Sequence, residues 1–433
     1  MGLIDSLWER HQFLMHQCIL LPFALLFCFL SKRGYLSLTC RYVFVSVGGC
    51  VLAVVTMGAF SLLPLVSASA FVLLLCSVDS GSVHSWALGL QMLWQTFWHL
   101  LIQYREYYLQ EPVSTRLFVA VSSLMLLTQR ITSLSMDVQE QKVPLPSNAA
   151  STQSLCAQLL PLISYVFSFT SLLGGPLCPY RRFVSHMEAL NLHSPPCPRS
   201  VLFLKLAQVF MLELLKHCLV RFMKQSTCDP SSSVVLCGVL WTWALALVLR
   251  IQYYSHWRIS ECLSHAAGFG FGANSCADSP DWSSISDGDF WTTEASTRVS
   301  EFARRWNATT ASWLRRLVYI RCKRFPLLMT FGFSLWWHGL HFGHFVGFLT
   351  WAACVKADYF IHRHLYPQPS GAGLKLLYTC LCWINTQMII TFIVIAVELR
   401  NLSSLKLLIV TYVGLFPLCN IIYLFVCSFH AAV

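Results

Sequence analysis

Residues 326–348 read PLLMTFGFSLWWHGLHFGHFVGF, a stretch that is almost wholly apolar. Apolar runs of this length are typical of segments that enter the hydrocarbon part of a membrane. His338 lies inside the run, directly after Trp336 and Trp337. A histidine at membrane depth is costly unless something needs it there, so this position indicates a functional site.

The composition of the whole chain agrees with a membrane setting. The chain has 433 residues, of which 56% are hydrophobic and only 11% are charged. Soluble domains carry about 25% charged residues, so the deficit is more than twofold. We predict one membrane-embedded domain over residues 1–433: an all-α polytopic membrane protein with about ten or eleven transmembrane helices. Re-entrant or interfacial segments are expected around an intramembrane tunnel.

The polar residues within and between the apolar runs carry further predictions. Gly339, Gly343 and Gly347 recur every four residues, a stripe that lets neighbouring helices approach closely. The acidic, serine-rich stretch 278–300 predicts an exposed loop. Arg130 stands in the apolar run 117–134, where it must snorkel, pair or face a polar cavity. Asp137, seven residues later on the same side of a helix, is one candidate partner for it.

A basic block precedes the apolar stretch and accounts for much of the net charge of +11. Its members are Arg304, Arg305, Arg315, Arg316, Arg321, Lys323 and Arg324. Loops with this charge normally face the cytosol, and for most of the seven a topology signal is a sufficient explanation. The block also offers a surface for an anionic partner. No recognition fold for nucleic acid accompanies the charge.

Most of the nineteen cysteines fall within apolar runs, where free cysteine behaves as a small hydrophobe. No paired CxxC spacing typical of a zinc site is present, so we predict neither a metal site nor a disulfide framework. His341 and His344 continue a three-residue spacing from His338, which invites a metal interpretation. On one continuous helix the outer two would diverge, and no carboxylate lies nearby. We therefore predict that His341 lines the same cavity as His338.

His338 is the strongest catalytic candidate. An apolar environment favours the neutral imidazole, which is the form that a general base for a hydroxyl requires. A packing histidine bonded to a neighbouring helix explains the sequence equally well. The sequence contains no nucleophile elbow and no P-loop. It therefore offers a candidate general base but no candidate protein nucleophile. This combination fits direct transfer, in which the acceptor substrate supplies the hydroxyl.

Asn307 is the second candidate. It begins an N-A-T sequon, but its position between basic pairs points to the cytosolic face and argues against glycosylation. A side-chain amide can orient a nucleophile or donate to a developing oxyanion, an effect worth about 3 kcal/mol in comparable sites. The alternative is a helix N-cap, a position at which asparagine is favoured.

Three short motifs resemble the membrane-bound O-acyltransferase family: Trp306-Asn307, Trp313-Leu314 and Trp337-His338-Gly339. The stretches LTQRITSLSMDV at 127–138 and LLGGPLCPYRRF at 172–183 resemble the same family more weakly. The resemblance covers essentially the whole chain. It implies that His338 is the catalytic base and Asn307 the second catalytic residue.

Further stretches resemble the members of the family that acylate a peptide hormone. They are YYSHW at 253–257, HAAGFG at 265–270, RWNATTASWLRRLV at 305–318 and WWHGLH at 336–341. This resemblance implies a multi-pass enzyme of the endoplasmic reticulum membrane that uses octanoyl-CoA as donor and a serine of the ghrelin peptide as acceptor. No tightly bound cofactor is implied.

The donor suggests two sets of contacts. The phosphates of an acyl-CoA suit Arg304, Arg305, Arg315 and Arg316. Its fatty chain suits an apolar tunnel, for which Phe331, Ser334, Trp337 and Trp351 are candidate lining residues, although simple packing explains each of them singly. A large side chain closing the tunnel would limit acyl length, since each methylene is worth about 0.8 kcal/mol of burial.

Two other functions remain open. One keeps the family and makes a lysophospholipid the acceptor. The other is a non-enzymatic membrane transporter in which His338 serves as a proton relay or ligand contact. Against the transporter stand the absence of an internal repeat and the scarcity of other buried ionisable groups.

Overall fold

The computed structural model describes residues 11–144, 154–192, 199–226, 234–270, 282, 285–364 and 371–430. All regular secondary structure in these ranges is helical. The helices, in chain order, are α1 His11–Lys32, α2 Leu38–Met57, α3 Leu62–Ser77, α4 Val83–Gln103, α5 Thr115–Gln139, α6 Leu155–Val166, α7 Tyr180–Leu192, α8 Arg199–Ser226, α9 Val234–Ala266, α10 Phe290–Glu294, α11 Val299–Arg305, α12 Ala308–Leu314, α13 Pro326–His338, α14 Phe342–His364, α15 Ala372–Glu398, α16 Leu402–Val410 and α17 Tyr412–His430.

The chain divides into two compact units. The first unit comprises Met1–Phe210 and Ser255–Ser286, and the second comprises Met211–Tyr254 and Asp287–Val433. His338, Asn307 and the basic block all belong to the second unit. The prediction of a single membrane-embedded domain stays a prediction.

The core of the first unit consists of buried apolar side chains, most of them from α1 to α7. Phe27 is buried and packs at 6.5 Å between ring centroids from Phe169, in the loop that follows α6. Gly49 of α2 makes this close packing possible, because a Cβ atom there would lie 1.7 Å from the carbonyl oxygen of Phe167. The loop after α6 is therefore held tightly against α2.

The second unit contains the predicted glycine stripe, and two of its three members act as predicted. A Cβ atom on Gly343 would lie 2.1 Å from the carbonyl oxygen of Ala396, and one on Gly347 would lie 2.6 Å from Val397 Cγ2. These two glycines therefore allow α14 to pack directly on the backbone of α15. Gly339 has another function, because its φ of +107° ends α13.

The all-α, polytopic class is confirmed, but the predicted count of spans is not reached. Among the described residues, four helical stretches are long and apolar enough to cross a membrane: Leu38–Ser77, Thr115–Gln139, Leu236–Ala266 and Ala372–Glu398. A fifth is added if the pair Leu402–Val410 and Tyr412–Val426, bent by 71°, counts as one broken span.

Two features of the described helices contribute to the lower count. Several apolar runs fold into short helices, such as α6 with 12 residues and α13 with 13. At about 1.5 Å per residue, these helices cannot cross a hydrocarbon core about 30 Å thick. Other runs, such as α8, carry several charged side chains.

The prediction of an exposed loop at 278–300 is wrong for residues 285–300. These residues include α10 and the start of α11, and several of their polar side chains are buried. Asp287, Thr293, Ser296 and Ser300 are all buried. A polar composition indicated exposure, whereas Asp287, Thr293 and Ser296 have hydrogen-bond partners inside the protein.

Candidate active site

His338 is the last residue of α13, and a break of three residues separates it from α14. Gly339 turns the chain with its positive φ, and its carbonyl oxygen accepts a hydrogen bond of 2.6 Å from Nδ1 of His344. The bond fixes the turn that directly follows His338. The three histidines therefore do not share one continuous helix, and the spacing argument made from the sequence rested on a wrong premise.

The histidine rings nevertheless lie close together. The centroid of His344 is 6.2 Å from that of His338 and 5.3 Å from that of His341. His341 is buried, and its Nε2 accepts a hydrogen bond from the guanidinium of Arg400. Among the described residues, no group of three or more His, Cys, Asp or Glu side chains is placed to hold a metal ion.

A chain of aromatic rings extends from His338 along the two helices. Phe348 stacks on the imidazole at 5.1 Å with an interplanar angle of 26°. Trp351 follows at 6.4 Å from Phe348, and Phe331 lies 5.6 Å from Trp351. Ser334, buried one helical turn before His338, belongs to the same stretch of α13. The structure thus brings together three of the predicted lining residues, with Phe348 as the contact that the sequence analysis missed.

Trp337 connects the histidine to the segment that carries Asn307. Its ring is 4.8 Å from that of His338 and 5.1 Å from that of Trp313. Trp313 is at the end of α12, the short helix that Asn307 begins. One seven-residue helix therefore joins the two predicted catalytic residues through a contact between tryptophans.

Asn307 adopts the left-handed conformation, with φ 46° and ψ 58°. Its backbone carbonyl accepts a hydrogen bond of 2.9 Å from the amide of Ala311, as expected at a helix start. Its side chain, however, makes no capping hydrogen bond. The N-cap alternative therefore holds for the backbone of Asn307 but does not account for its amide group.

A buried aspartate supports this segment. The carbonyl of Asp287 accepts a hydrogen bond of 3.1 Å from the amide of Ala308, and its carboxylate accepts one from the hydroxyl of Thr309. Gly288 approaches so closely that a Cβ atom would lie 2.6 Å from the carbonyl oxygen of Arg305. Arg305 and Ala308, which lie before and after Asn307, are thereby held in place. Their fixed positions stabilise the left-handed conformation of Asn307.

A second set of buried polar groups supports the aromatic residue before Asn307. Arg250 pairs with Glu294 through two hydrogen bonds of 2.9 and 3.1 Å and also donates to Gln387 at 3.0 Å. Tyr254 donates to the same glutamate at 3.1 Å, and its ring lies 5.2 Å from that of Trp306. The sequence analysis missed this network because Glu294 stood in a stretch interpreted as a loop.

The four arginines predicted to bind the donor differ in their exposure and in the number of hydrogen bonds that they make within the protein. Arg305 pairs with Glu301 at 2.8 Å and donates to the carbonyl of Thr292 at 2.6 Å. Arg304 is exposed and makes a single hydrogen bond of 3.1 Å to the hydroxyl of Tyr359. Arg315 is exposed and Arg316 is half-buried. Arg304 and Arg315 therefore have the guanidinium groups most accessible to a phosphate.

Residues 42–395 match the model of the membrane-bound O-acyltransferase family, and the chain belongs to that family. The predicted resemblance is confirmed, and the protein is an acyltransferase that crosses the membrane several times. A non-enzymatic transporter is excluded by this membership.

Two groups of relatives differ in how fully they match. The chain is 41% identical to the membrane-bound ghrelin O-acyltransferase of Mus musculus, over 97% of each chain. The same identity is found with the ghrelin O-acyltransferase of Rattus norvegicus, over 96% of each chain. The membrane-bound glycerophospholipid O-acyltransferase 2 of Homo sapiens is 28% identical over 65% of this chain and 59% of its own length.

Proposed function

We propose that this enzyme transfers octanoyl from octanoyl-CoA to a serine hydroxyl of the ghrelin peptide, in the endoplasmic reticulum membrane. The observation that carries this proposal is the full-length similarity to ghrelin O-acyltransferases, at 41% identity. The similarity to the glycerophospholipid enzyme covers a smaller part of both chains and is weaker. A peptide acceptor therefore has stronger support than a lysophospholipid.

His338 is proposed as the general base. Its imidazole accepts the proton of the serine hydroxyl while the serine oxygen attacks the thioester carbonyl of the donor. The tetrahedral intermediate then collapses, the carbon–sulfur bond breaks, and the imidazolium returns the proton to the thiolate of CoA. The products are the serine ester and free CoA. The aromatic rings of Phe348 and Trp337 around His338 suit this role, because they hold the imidazole in one orientation.

Asn307 is proposed to donate a hydrogen bond to the oxyanion that develops on the thioester carbonyl. Its amide is not used to cap α12, and Asp287 fixes the backbone on which it stands. A donor held rigidly before the reaction begins costs no reorganisation in the transition state. This arrangement explains why the residue needs both a side-chain amide and a left-handed backbone.

The phosphates of the donor are proposed to lie against Arg304 and Arg315, with Arg316 and Arg305 contributing to the positive potential. The acyl chain is proposed to extend from His338 along Phe331, Ser334, Trp337 and Trp351, with buried His341 beside it. Since the donor is made in the cytosol and a secreted peptide in the lumen, the reaction centre must be reachable from both faces through a tunnel.

The first test uses microsomes that contain the full chain, octanoyl-CoA and two acceptors: a ghrelin N-terminal peptide and a lysophospholipid mixture. Wild-type protein is expected to octanoylate the peptide serine, and His338→Ala is expected to abolish transfer. His217→Ala is the matched control, because His217 is an exposed histidine of the same unit. Transfer only to the lipid would leave the family intact and overturn the peptide acceptor. Unchanged transfer by well-folded His338→Ala would overturn the assignment of the base.

The acyl-length limit has a separate test in Trp351. This ring lies between Phe348 and Phe331, so a bulky side chain stands beyond Phe348 in the row of rings that begins at His338. Trp351→Ala is expected to raise the use of acyl-CoA donors two to six carbons longer than octanoyl, because each added methylene can contribute about 0.8 kcal/mol. Competition between octanoyl-CoA and longer donors in one reaction measures the ratio. An unchanged ratio would place the end of the chain elsewhere.

A further inference from the structure

The first unit contains a cavity that the proposed reaction does not use. Its volume is about 30 Å³. The polar residues that line it include Gln129, Arg130, Tyr165, Ser168, Thr170, Ser171 and Ser264. Apolar side chains, including Phe183 and Phe269, complete the wall. Every lining residue belongs to the first unit, whereas His338 and Asn307 belong to the second.

Arg130 is the charged group of this cavity, and only 4% of it is exposed. Its Nη1 donates to the carbonyl of Val166 at 2.8 Å and to Ser171 Oγ at 3.3 Å. Its Nη2 has no hydrogen-bond partner in the part of the chain that the structure describes. The ion pair with Asp137 considered from the sequence is not formed, and the hydrogen bonds of the guanidinium go to neutral groups.

Neutral acceptors satisfy hydrogen bonds but do not neutralise a buried charge. Arg130 stands on α5, one of the stretches long and apolar enough to cross a membrane. A cationic side chain in such a segment is costly unless an anion or a polar cavity compensates it. Since a guanidinium stays charged at all accessible pH values, it cannot reduce this cost by losing its proton.

The groups beside Arg130 suit an anion with several oxygen atoms. The hydroxyls of Ser168 and Thr170 bond to each other at 2.9 Å and can each turn toward an acceptor. The fork of N–H groups on an arginine matches the oxygen spacing of a carboxylate or phosphate. A cavity of about 30 Å³ accommodates one or two groups of the size of water, so it admits terminal oxygens rather than a whole ligand.

We propose that the Arg130 cavity is a binding site separate from the acyl-transfer site, and that it binds the terminal oxygen atoms of an anionic headgroup. The shared chemistry is a phosphate monoester or carboxylate, supplied by a membrane amphiphile or by the free anion. The aromatic side chains of Phe183 and Phe269 offer apolar contact to an attached chain. The site is independent of the proposed acyl transfer, and its test does not use that activity.

The experiment measures binding of radiolabelled lysophosphatidic acid to the purified full-length protein in neutral detergent. Salt at about 0.5 M reduces the Debye length to about 4 Å and suppresses attraction to surface charges. Wild-type protein is compared with Arg130→Gln, which removes the charge and keeps an N–H donor. Arg116→Gln is the matched control, because Arg116 is an exposed arginine of the same helix.

Arg130→Gln is expected to weaken binding about tenfold or more, the usual effect of losing a charge-assisted hydrogen bond. Arg116→Gln is expected to bind like the wild type. If Arg130→Gln does not fold, Arg130→Lys takes its place and is expected to bind at least about threefold more weakly, since an ammonium lacks the planar fork. Equal affinity of the wild type and the folded Arg130 variant, or an equal loss in the Arg116 control, would overturn the proposal.

Two competitors distinguish the sources of the oxyanion. Displacement by millimolar inorganic phosphate would show that the free anion is sufficient. Displacement by unlabelled lysophosphatidic acid but not by phosphate would assign the site to a lipid headgroup. Displacement by lysophosphatidylcholine at the same concentration as lysophosphatidic acid would overturn recognition of the anionic head, because the two lipids share the acyl chain.

Discussion

At the scale of single residues, Asn307 combines a backbone conformation and a side-chain amide that can be tested separately. Glycine adopts the left-handed conformation without strain, so Asn307→Gly preserves the turn and removes only the amide. We expect this variant to keep its unfolding temperature and to lose about 10²–10³-fold in kcat, the effect of removing one oxyanion donor.

The control for this prediction is Asn307→Ala. It removes the same amide and adds strain of about 1–2 kcal/mol, because a Cβ atom is unfavourable in the left-handed region. The alanine variant should therefore unfold at a lower temperature than the glycine variant but share its low kcat. Retained activity in Asn307→Gly would mean that the residue serves the turn and not the chemistry.

His186 makes the stability of the first unit depend on pH. It lies on α7, outside the candidate spans, and its ring is 6.1 Å from that of Phe269. Burial, together with the charge of Arg182, lowers the pKa of His186 to about 4. Since the unfolded chain binds this proton below pH 6.5 and the folded one only near pH 4, acidification through this window favours unfolding.

We expect His186→Phe to remove that part of the pH dependence. Phenylalanine keeps a ring against Phe269, and Nε2 of His186 has no partner to lose among the described residues. The free energy of unfolding, obtained from unfolding curves between pH 7 and pH 4.5, should fall less in the variant than in the wild type. The expected difference is about 1–2 kcal/mol after allowance for the partial exposure of His186. Parallel slopes for the two proteins would contradict the assignment.

From the sequence, single residues could be proposed as site residues when they broke a pattern. His338 and Asn307 are polar residues in or beside an apolar run, and their neighbours form motifs of a known family. Asp287 and Glu294 were not predicted, because an acidic residue in a polar stretch has the same appearance whether it is exposed or buried. Arg250 held the missing signal: a cation in an apolar run requires a counter-ion, and Glu294 is that counter-ion.

At the scale of helices, the close packing of α14 on α15 depends on Gly343. Alanine at this position would place a methyl group 2.1 Å from the carbonyl oxygen of Ala396 and 2.4 Å from that of Leu399. Backbone atoms cannot give way as a side-chain end does, so the helices must separate. We expect Gly343→Ala to destabilise the protein by about 1–3 kcal/mol, the usual cost of overpacking, in thermal unfolding in mild detergent.

Gly332→Ala provides the comparison within the adjacent helix. No atom lies within 4 Å of a Cβ at that position, and alanine favours a helix over glycine by about 1 kcal/mol. This variant should be as stable as the wild type or slightly more so. If both variants had the same unfolding midpoint, the contact between α14 and α15 would not depend on the glycine.

Helix type was predictable, but helix length and continuity were not. Hydropathy identifies which residues avoid water, and it does not identify where the chain turns. The break between α13 and α14 falls inside the apolar run at Gly339, which is held by the hydrogen bond from His344. The argument about the spacing of the three histidines assumed a helix that continues past His338, where α13 in fact ends.

At the scale of the molecule, the network around Glu294 joins positions that are far apart in the sequence. Arg250 on α9, Glu294 at the end of α10 and Gln387 on α15 lie within hydrogen-bond distance of one another. Each belongs to the second unit, which also carries the proposed catalytic residues. The network therefore fixes three segments around Tyr254 and, through its ring, Trp306.

Removal of both partners should cost less than the sum of the two single removals. Arg250 is fully buried, so Arg250→Met leaves the Glu294 carboxylate without its cation, at an expected cost of about 3–5 kcal/mol. Glu294→Gln leaves the guanidinium uncompensated in the same way. The double variant Arg250→Met/Glu294→Gln carries neither charge, and its loss of stability should be smaller than the sum of the single losses by at least about 1 kcal/mol.

Unfolding measurements on the wild type, the two single variants and the double variant give the coupling energy between Arg250 and Glu294. Octanoyl transfer by the same four preparations tests whether this coupling affects activity. Because the network reaches Trp306 through the ring of Tyr254, we expect the double variant to recover stability without recovering full kcat. Losses that add within about 0.5 kcal/mol would mean that the two charges act independently. In that case the position of the Asn307 segment would depend more on Asp287 than on Glu294, and Thr309→Val would be expected to lower kcat more than any change at Glu294.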